Sequence, residues 1–241
     1  MLKNLSVCKF TVLVCLLWMP AMKATAQFSA GITAGFTLSQ PDKAPGVIYS
    51  EYLPAGGFAA GFSFQYNLDA RLAIYAEPGV FQKNISYRRT KNYSATWEKN
   101  SNTYLQLPVM LQYRYPLGKK LDAFAQAGAY AGWWAFKSKK GAIPNIYDLT
   151  DGTAPDGTPS SYFRMAEYSE NNAFESKKDQ RFDFGAVGGI GANWLYKDGY
   201  RLSVEIRYSY SLNSYQKEYM ENQQLHSHRT AAVMIGWMKD L

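Results

Sequence analysis

The sequence predicts an all-β fold, an eight-stranded antiparallel up-and-down transmembrane β-barrel with short periplasmic turns and long extracellular loops. Three observations predict it. The N-terminus reads as an export signal, eight segments alternate apolar and polar residues, and the connections between them alternate short and long. Composition agrees. The 241 residues are 47% hydrophobic and 16% aromatic, too rich for disorder, and no short repeat marks a fibrous chain. Only one stretch approaches a spanning helix, at the extreme N-terminus, which excludes a polytopic helical membrane protein. A mean hydropathy of −0.32 fits a barrel, where only every second residue need be apolar.

Residues 1–26 are expected to be a cleaved signal peptide, and 27–241 the barrel domain. Lys3 and Lys9 supply the positive start, and Phe10 to Met19 an apolar core too short for a comfortable span. Ala24-Thr-Ala26 places small residues where a signal peptidase reads, leaving Gln27 first. Cys8 and Cys15 leave with the signal, so the mature chain has no disulfide, thiol nucleophile or thiolate metal site. Lys3, Lys9 and Lys23 leave too, taking the formal net charge from +7 to +4. Export and the lack of a basic cluster argue against a nucleic-acid partner.

The strands follow in order. Phe28 to Ser39 puts Phe28, Ile32, Phe36 and Leu38 on one face and Ser29, Thr33 and Ser39 on the other. Phe58 to Tyr66 and Arg71 to Val80 repeat the pattern, as does Leu105 to Tyr115, where Leu107, Val109 and Leu111 oppose Gln106, Met110 and Gln112. Leu121 to Ala135 carries a strip of alanines on odd positions ending at Trp133. Phe182 to Tyr196, Arg201 to Tyr210 and His228 to Met238 complete eight segments of one apolar and one polar or small face. Each is about as long as a tilted strand needs to cross a bilayer.

Short links lie at 67–70, 116–120 and 197–199, and long ones at about 40–54, 84–102, 137–180 and 213–227. Short turns on one side and long loops on the other describe an outer-membrane barrel with both termini periplasmic. A soluble lipocalin-like barrel would reverse the faces. The apolar-face aromatics fall at two heights. Phe28, Tyr66, Tyr113, Tyr115, Trp194, Tyr196 and Trp237 lie toward the periplasmic end, and Phe58, Trp133, Phe182, Phe184, Tyr208 and Tyr210 toward the outer end, as two interfacial belts.

Tyr104-Leu-Gln-Leu-Pro-Val-Met-Leu-Gln-Tyr-Arg-Tyr115 is similar to the "Y-L-x-I-P-L-L-x-K-Y" strand of the eight-stranded outer-membrane β-barrel domain family, PorT-like, of Bacteroidota. Phe124 to Gly132 and Asp183 to Ala192 continue the resemblance. Glu205-Ile-Arg-Tyr-Ser-Tyr-Ser-Leu212 resembles its late "E-x-R-Y-x-x-G-L" strand. Many such barrels end in an aromatic residue, whereas this chain ends Trp237-Met-Lys-Asp-Leu241. The resemblance implies a place and a shape more than an activity. The partners expected are outer-membrane lipid and lipopolysaccharide, the barrel-assembly machinery, and a secretion-system or surface partner.

Chemistry is sparse. His226 and His228 share a face at the outer end of the last strand, as a metal pair or general base requires. No third ligand or orienting carboxylate is fixed by the sequence, so they are expected to be exposed loop histidines, with catalysis or metal binding the alternative. Asp148, Asp151 and Asp156 superficially resemble a calcium loop, but the EF-hand spacing fails, and Asp-Gly turns account for them better. Gly185, Gly188, Gly189 and Gly191 open no helix, so they form no dinucleotide fingerprint. They are expected to relieve crowding in the barrel. Arg71, Glu77, Arg114, Asp183, Glu205 and Arg207 share the lumen face, and eight strands leave room for little but side chains. They are expected to form a salt-bridged plug rather than a selective pore. No catalytic residue, metal site or cofactor motif is assigned. The chain is expected to be a non-enzymatic structural or surface-interaction protein. The alternatives are a lipid A-modifying envelope enzyme using the loop histidines, and a narrow channel.

Overall fold

The computed structural model describes residues 28–241 apart from 43–48, 92–94, 154–156, 172, 197–198, 222 and 224. The signal segment and Asp156 therefore lie outside the described residues. The described chain is all-β and antiparallel. Its strands are β1 (Phe28–Pro41), β2 (Ser50–Asn67), β3 (Leu72–Ala76), β4 (Gly79–Gln82), β5 (Ile85–Arg89), β6 (Trp97–Pro116), β7 (Leu121–Thr153), β8 (Pro159–Asn171), β9 (Phe182–Leu195), β10 (Tyr200–Ser211) and β11 (His228–Asp240).

These elements make a ring of eight staves. The third is β3, β4 and β5 end to end, each paired with β2 on one side and β6 on the other. The ring continues through β7, β9, β10 and β11, and β11 closes on β1 from Ser29↔Asp240 to Pro41↔His228. A closed ring satisfies every backbone group laterally, which is what strand passage through hydrocarbon demands.

Two sequence expectations need correction. The third strand is interrupted, at Glu77-Pro78 and Lys83-Asn84. Proline has no N–H for the ladder, but the Phe62 amide still reaches the Pro78 carbonyl at 3.0 Å, which holds the stave in line. The long links are also largely strand. The link expected at 137–180 holds the outer part of β7 and all of β8, a hairpin standing beyond the barrel. Those at 40–54 and 84–102 hold the start of β2, all of β5 and the start of β6. Such extensions are polar on both faces or wetted on both, so no one-sided alternation marks them. The described residues of the 213–227 link are irregular.

The facing is uniform. Phe62, Leu107, Val109, Ile206 and Ile235 are exposed on the outside, and the aromatics of both belts point outward with them. The inward parity is buried. It is not wholly polar, because Met110, Met234, Phe81 and Phe124 fill the lumen between the charged residues.

Candidate functional site: lumen and outer cleft

Side chains bridge the lumen at three levels. At the middle level one guanidinium serves two carboxylates. Arg207 on β10 donates to both oxygens of Glu77 at 2.9 and 2.8 Å, and to both oxygens of Glu205 at 3.0 and 2.8 Å. Glu77 belongs to the third stave and β10 is the seventh, so this bridge spans the ring. The fork geometry of arginine suits two such bidentate contacts. Tyr75 donates to Glu77 at 2.7 Å and Gln126 to Glu205 at 2.7 Å, supplying donors to the excess negative charge. Gln112 donates to Gln126 at 3.0 Å and extends the layer. Gly189 lies beside Arg207 in the ladder, and a Cβ there would strike the Glu205 carboxylate. Here the glycine is needed for close approach.

The outer level holds Lys83, which donates to Asp183 at 2.6 Å and lies 4.1 Å from the Tyr130 ring centroid. The periplasmic level holds Arg201, which donates to Asp240 at 2.8 Å, Ser29 at 2.7 Å and Gln65 at 3.2 Å. The alternation of β10 puts Arg201 on the polar face, but neither it nor Lys83 is among the six expected network residues. Lys83 follows the parity of Glu77, Gly79 and Phe81, and extending that alternation past Gln82 finds it.

Of the six expected network residues, Glu77, Glu205 and Arg207 come together. Asp183 is buried but pairs with Lys83, not with an arginine. Arg114 is half-buried at the periplasmic end and donates to Asn67 at 2.9 Å. Arg71 does not enter the lumen. It sits exposed in the turn before β3 and approaches the Tyr113 hydroxyl at 3.5 Å. Parity assigns a face only inside a strand, and the Asp69 carboxylate, capping the Arg71 and Leu72 amides at 2.6 and 2.7 Å, makes this segment a turn.

The two histidines are not exposed loop residues. His226 is 6% exposed and His228 1%. They belong to an aromatic lid over the outer mouth. Tyr52 meets His226 edge-on at 5.6 Å, and Tyr215 stacks on His226 and packs against His228 at 4.7 Å. Tyr104 meets His228 edge-on, bonds its Nε2 at 3.2 Å, and stacks on Trp134 at 5.7 Å. Around Tyr215 and His226 the described part of the 213–227 link thus folds inward, tied down where the Gln180 amide donates to the Tyr215 carbonyl at 3.1 Å. Among the described residues no group of three or more His, Cys, Asp or Glu side chains converges as a metal site would require.

Above the lid lies a cleft of about 780 Å³. Its floor is Trp134, Tyr215 and His226, and its walls come from the outer parts of β2, β5, β6, β7 and β8. Glu98 on the wall accepts Asn100 at 2.7 Å and Tyr168 at 2.8 Å, and lies 3.7 Å from Lys139. Partial burial and the Glu98 bond push the Tyr168 phenol up to about 12. Lys137 holds both oxygens of Asp179 at 3.0 and 3.1 Å.

A family model described as "Outer membrane protein beta-barrel domain" matches residues 22–216. No curated protein matches the chain. Solved structures similar to it include Neisserial surface protein A, 12% identical over 89% of this chain and 97% of that one, with a TM-score of 0.45. Others are outer membrane protein OprG of Pseudomonas aeruginosa, 12% identical over 90% and 97% (TM-score 0.45), and outer membrane protein W of Escherichia coli, 14% identical over 91% and 100% (TM-score 0.45).

Proposed function

Because the chain belongs to the outer-membrane β-barrel domain family and so lies in the bacterial outer membrane, we propose that it is a closed, non-enzymatic barrel that acts at the cell surface. One observation carries this. The Arg207 bridge joins opposite staves in mid-lumen, with the Lys83–Asp183 pair above it and the Arg201 cluster below. A solute would have to break several buried, charge-assisted contacts to pass, each costly to strand. The working surface is then the part beyond the membrane, the cleft and the β7–β8 hairpin. The burial of His228 beneath the aromatic lid, away from the cleft, supports this reading over the lipid A-modifying enzyme, which needs an accessible base. On the same reading residues 1–26 are removed on export, and the resemblance to the PorT-like barrels of Bacteroidota supports a place beside a secretion or surface system.

Planar bilayers containing the purified protein should show little steady conductance, and liposomes carrying it should not swell in isotonic sugar. Large, stable single-channel steps would overturn the closed barrel and favour the narrow channel.

A further inference from the structure

We propose that the outer cleft is a binding site for a neutral oligosaccharide; this rests on the surface-acting reading above. The cleft has a ligand-sized volume, about 780 Å³, within the usual range of roughly 300–1,000 Å³ for small-molecule sites. Its chemistry selects among ligand classes.

Charge comes first. Four of the five charged side chains on the wall neutralise one another, Lys137 with Asp179 and Lys139 with Glu98, and Arg89 is engaged as well. An anionic ligand would have to displace a carboxylate from its lysine, and a cationic one a lysine from its carboxylate. A neutral ligand disturbs neither pair.

Polarity comes next. Asn100, Asn102, Gln216, Gln223 and Thr96 line the same space, four amides and a hydroxyl, and the buried Oδ1 atoms of Asn100 and Asn102 have no partner among the described residues, which an apolar ligand would leave unsatisfied. Amides both donate and accept, which matches hydroxyls, themselves both donors and acceptors. Aromatic faces complete the set. Tyr52, Tyr87, Trp97 and Tyr215 line the cleft, and Trp97 on its wall is 37% exposed. A pyranose ring carries an apolar C–H face and a rim of hydroxyls, and it is the ligand that uses rings and amides side by side. The floor is already fixed, since Tyr215 packs on Trp134 and His226 and on His228 beneath. A rigid floor keeps the ordering cost of binding low.

The test uses the full mature chain in nanodiscs, titrated calorimetrically at physiological salt with maltohexaose, cellohexaose, laminarihexaose and mannohexaose. A sulfated hexasaccharide and an extended hexapeptide serve as comparison probes. At least one neutral hexasaccharide should bind saturably at one per barrel and change tryptophan emission. Trp97→Ala and Asn100→Ala should each weaken it by about tenfold or more, with barrel folding checked by gel mobility so that either variant suffices. Binding by none of the neutral probes at millimolar concentration, binding only by the sulfated or peptide probe, or binding unchanged in both variants would overturn the inference. Silent bilayers with no bound saccharide sink this inference alone, whereas swelling liposomes sink the closed-barrel reading.

Discussion

Arg207 is the residue on which the lumen turns. It alone separates Glu77 from Glu205, and it does so with every guanidinium nitrogen. Arg207→Met should therefore cost more than loss of either glutamate, about 3–5 kcal/mol, because two buried carboxylates are stranded together. Glu77→Gln or Glu205→Gln leaves a one-to-one pair and should cost less. The triple change of all three should recover most of the loss, since no charge remains to strand. Denaturant midpoints of gel-resolved unfolding would rank the four variants, and an Arg207→Met protein as stable as the parent would dismiss the bridge. The alternation in β10 exposes both Arg207 and Glu205 as inward residues from sequence alone. Which partner each takes was not legible, because pairing depends on how far the staves are sheared past one another. Arg71 shows the other limit. It has the inward parity but stands one residue before its strand, where solvent is within reach.

At the scale of the element, the two faces of a strand meet different solvents. Val109 and Ile206 point out to the hydrocarbon, while Gln106 points in. Val109→Arg or Ile206→Arg should cost roughly 2–4 kcal/mol if near the midplane, and a same-sized polar change at Gln106 much less. Equal losses at the two faces in a detergent refolding series would show the facing to be reversed. Such facing was readable throughout, because hydrocarbon on one side and a crowded lumen on the other enforce strict alternation. Where both faces meet water the signal vanishes, so β8 and the outer half of β7 carry no strand pattern in the sequence, and β5 is too short to show one. The short stave fragments β3 and β4 kept their parity across Pro78 although their ladder breaks there, which is why the strand was found but not its interruption.

At the scale of the molecule, closure and stability come from the ring and its filling together. The seam between β1 and β11 carries thirteen consecutive pairs, and residues 27–241 contain no cysteine to staple it. Folded protein should therefore run at a different mobility from boiled protein on a denaturing gel, with or without reductant. Identical mobility of the two would mean that no closed barrel formed. The aromatic lid was not legible as a lid. The rings of Tyr52, Tyr104, Trp134, Tyr215 and His226 come from four separate stretches of chain, and only folding the last link inward brings them together.

The β7–β8 hairpin leaves one more trait. In the membrane every stave has two neighbours, so no lateral template is on offer there. β8 pairs with β7 alone, and its far side shows a ladder of unused amides and carbonyls above the bilayer. Arg164, Glu167 and Glu170 punctuate that edge, and Pro159 opens it without an N–H. Charges and a proline are what edge strands use to discourage stitching to a neighbour. Above the bilayer, that edge is thus studded against seeding a fibre between neighbouring copies.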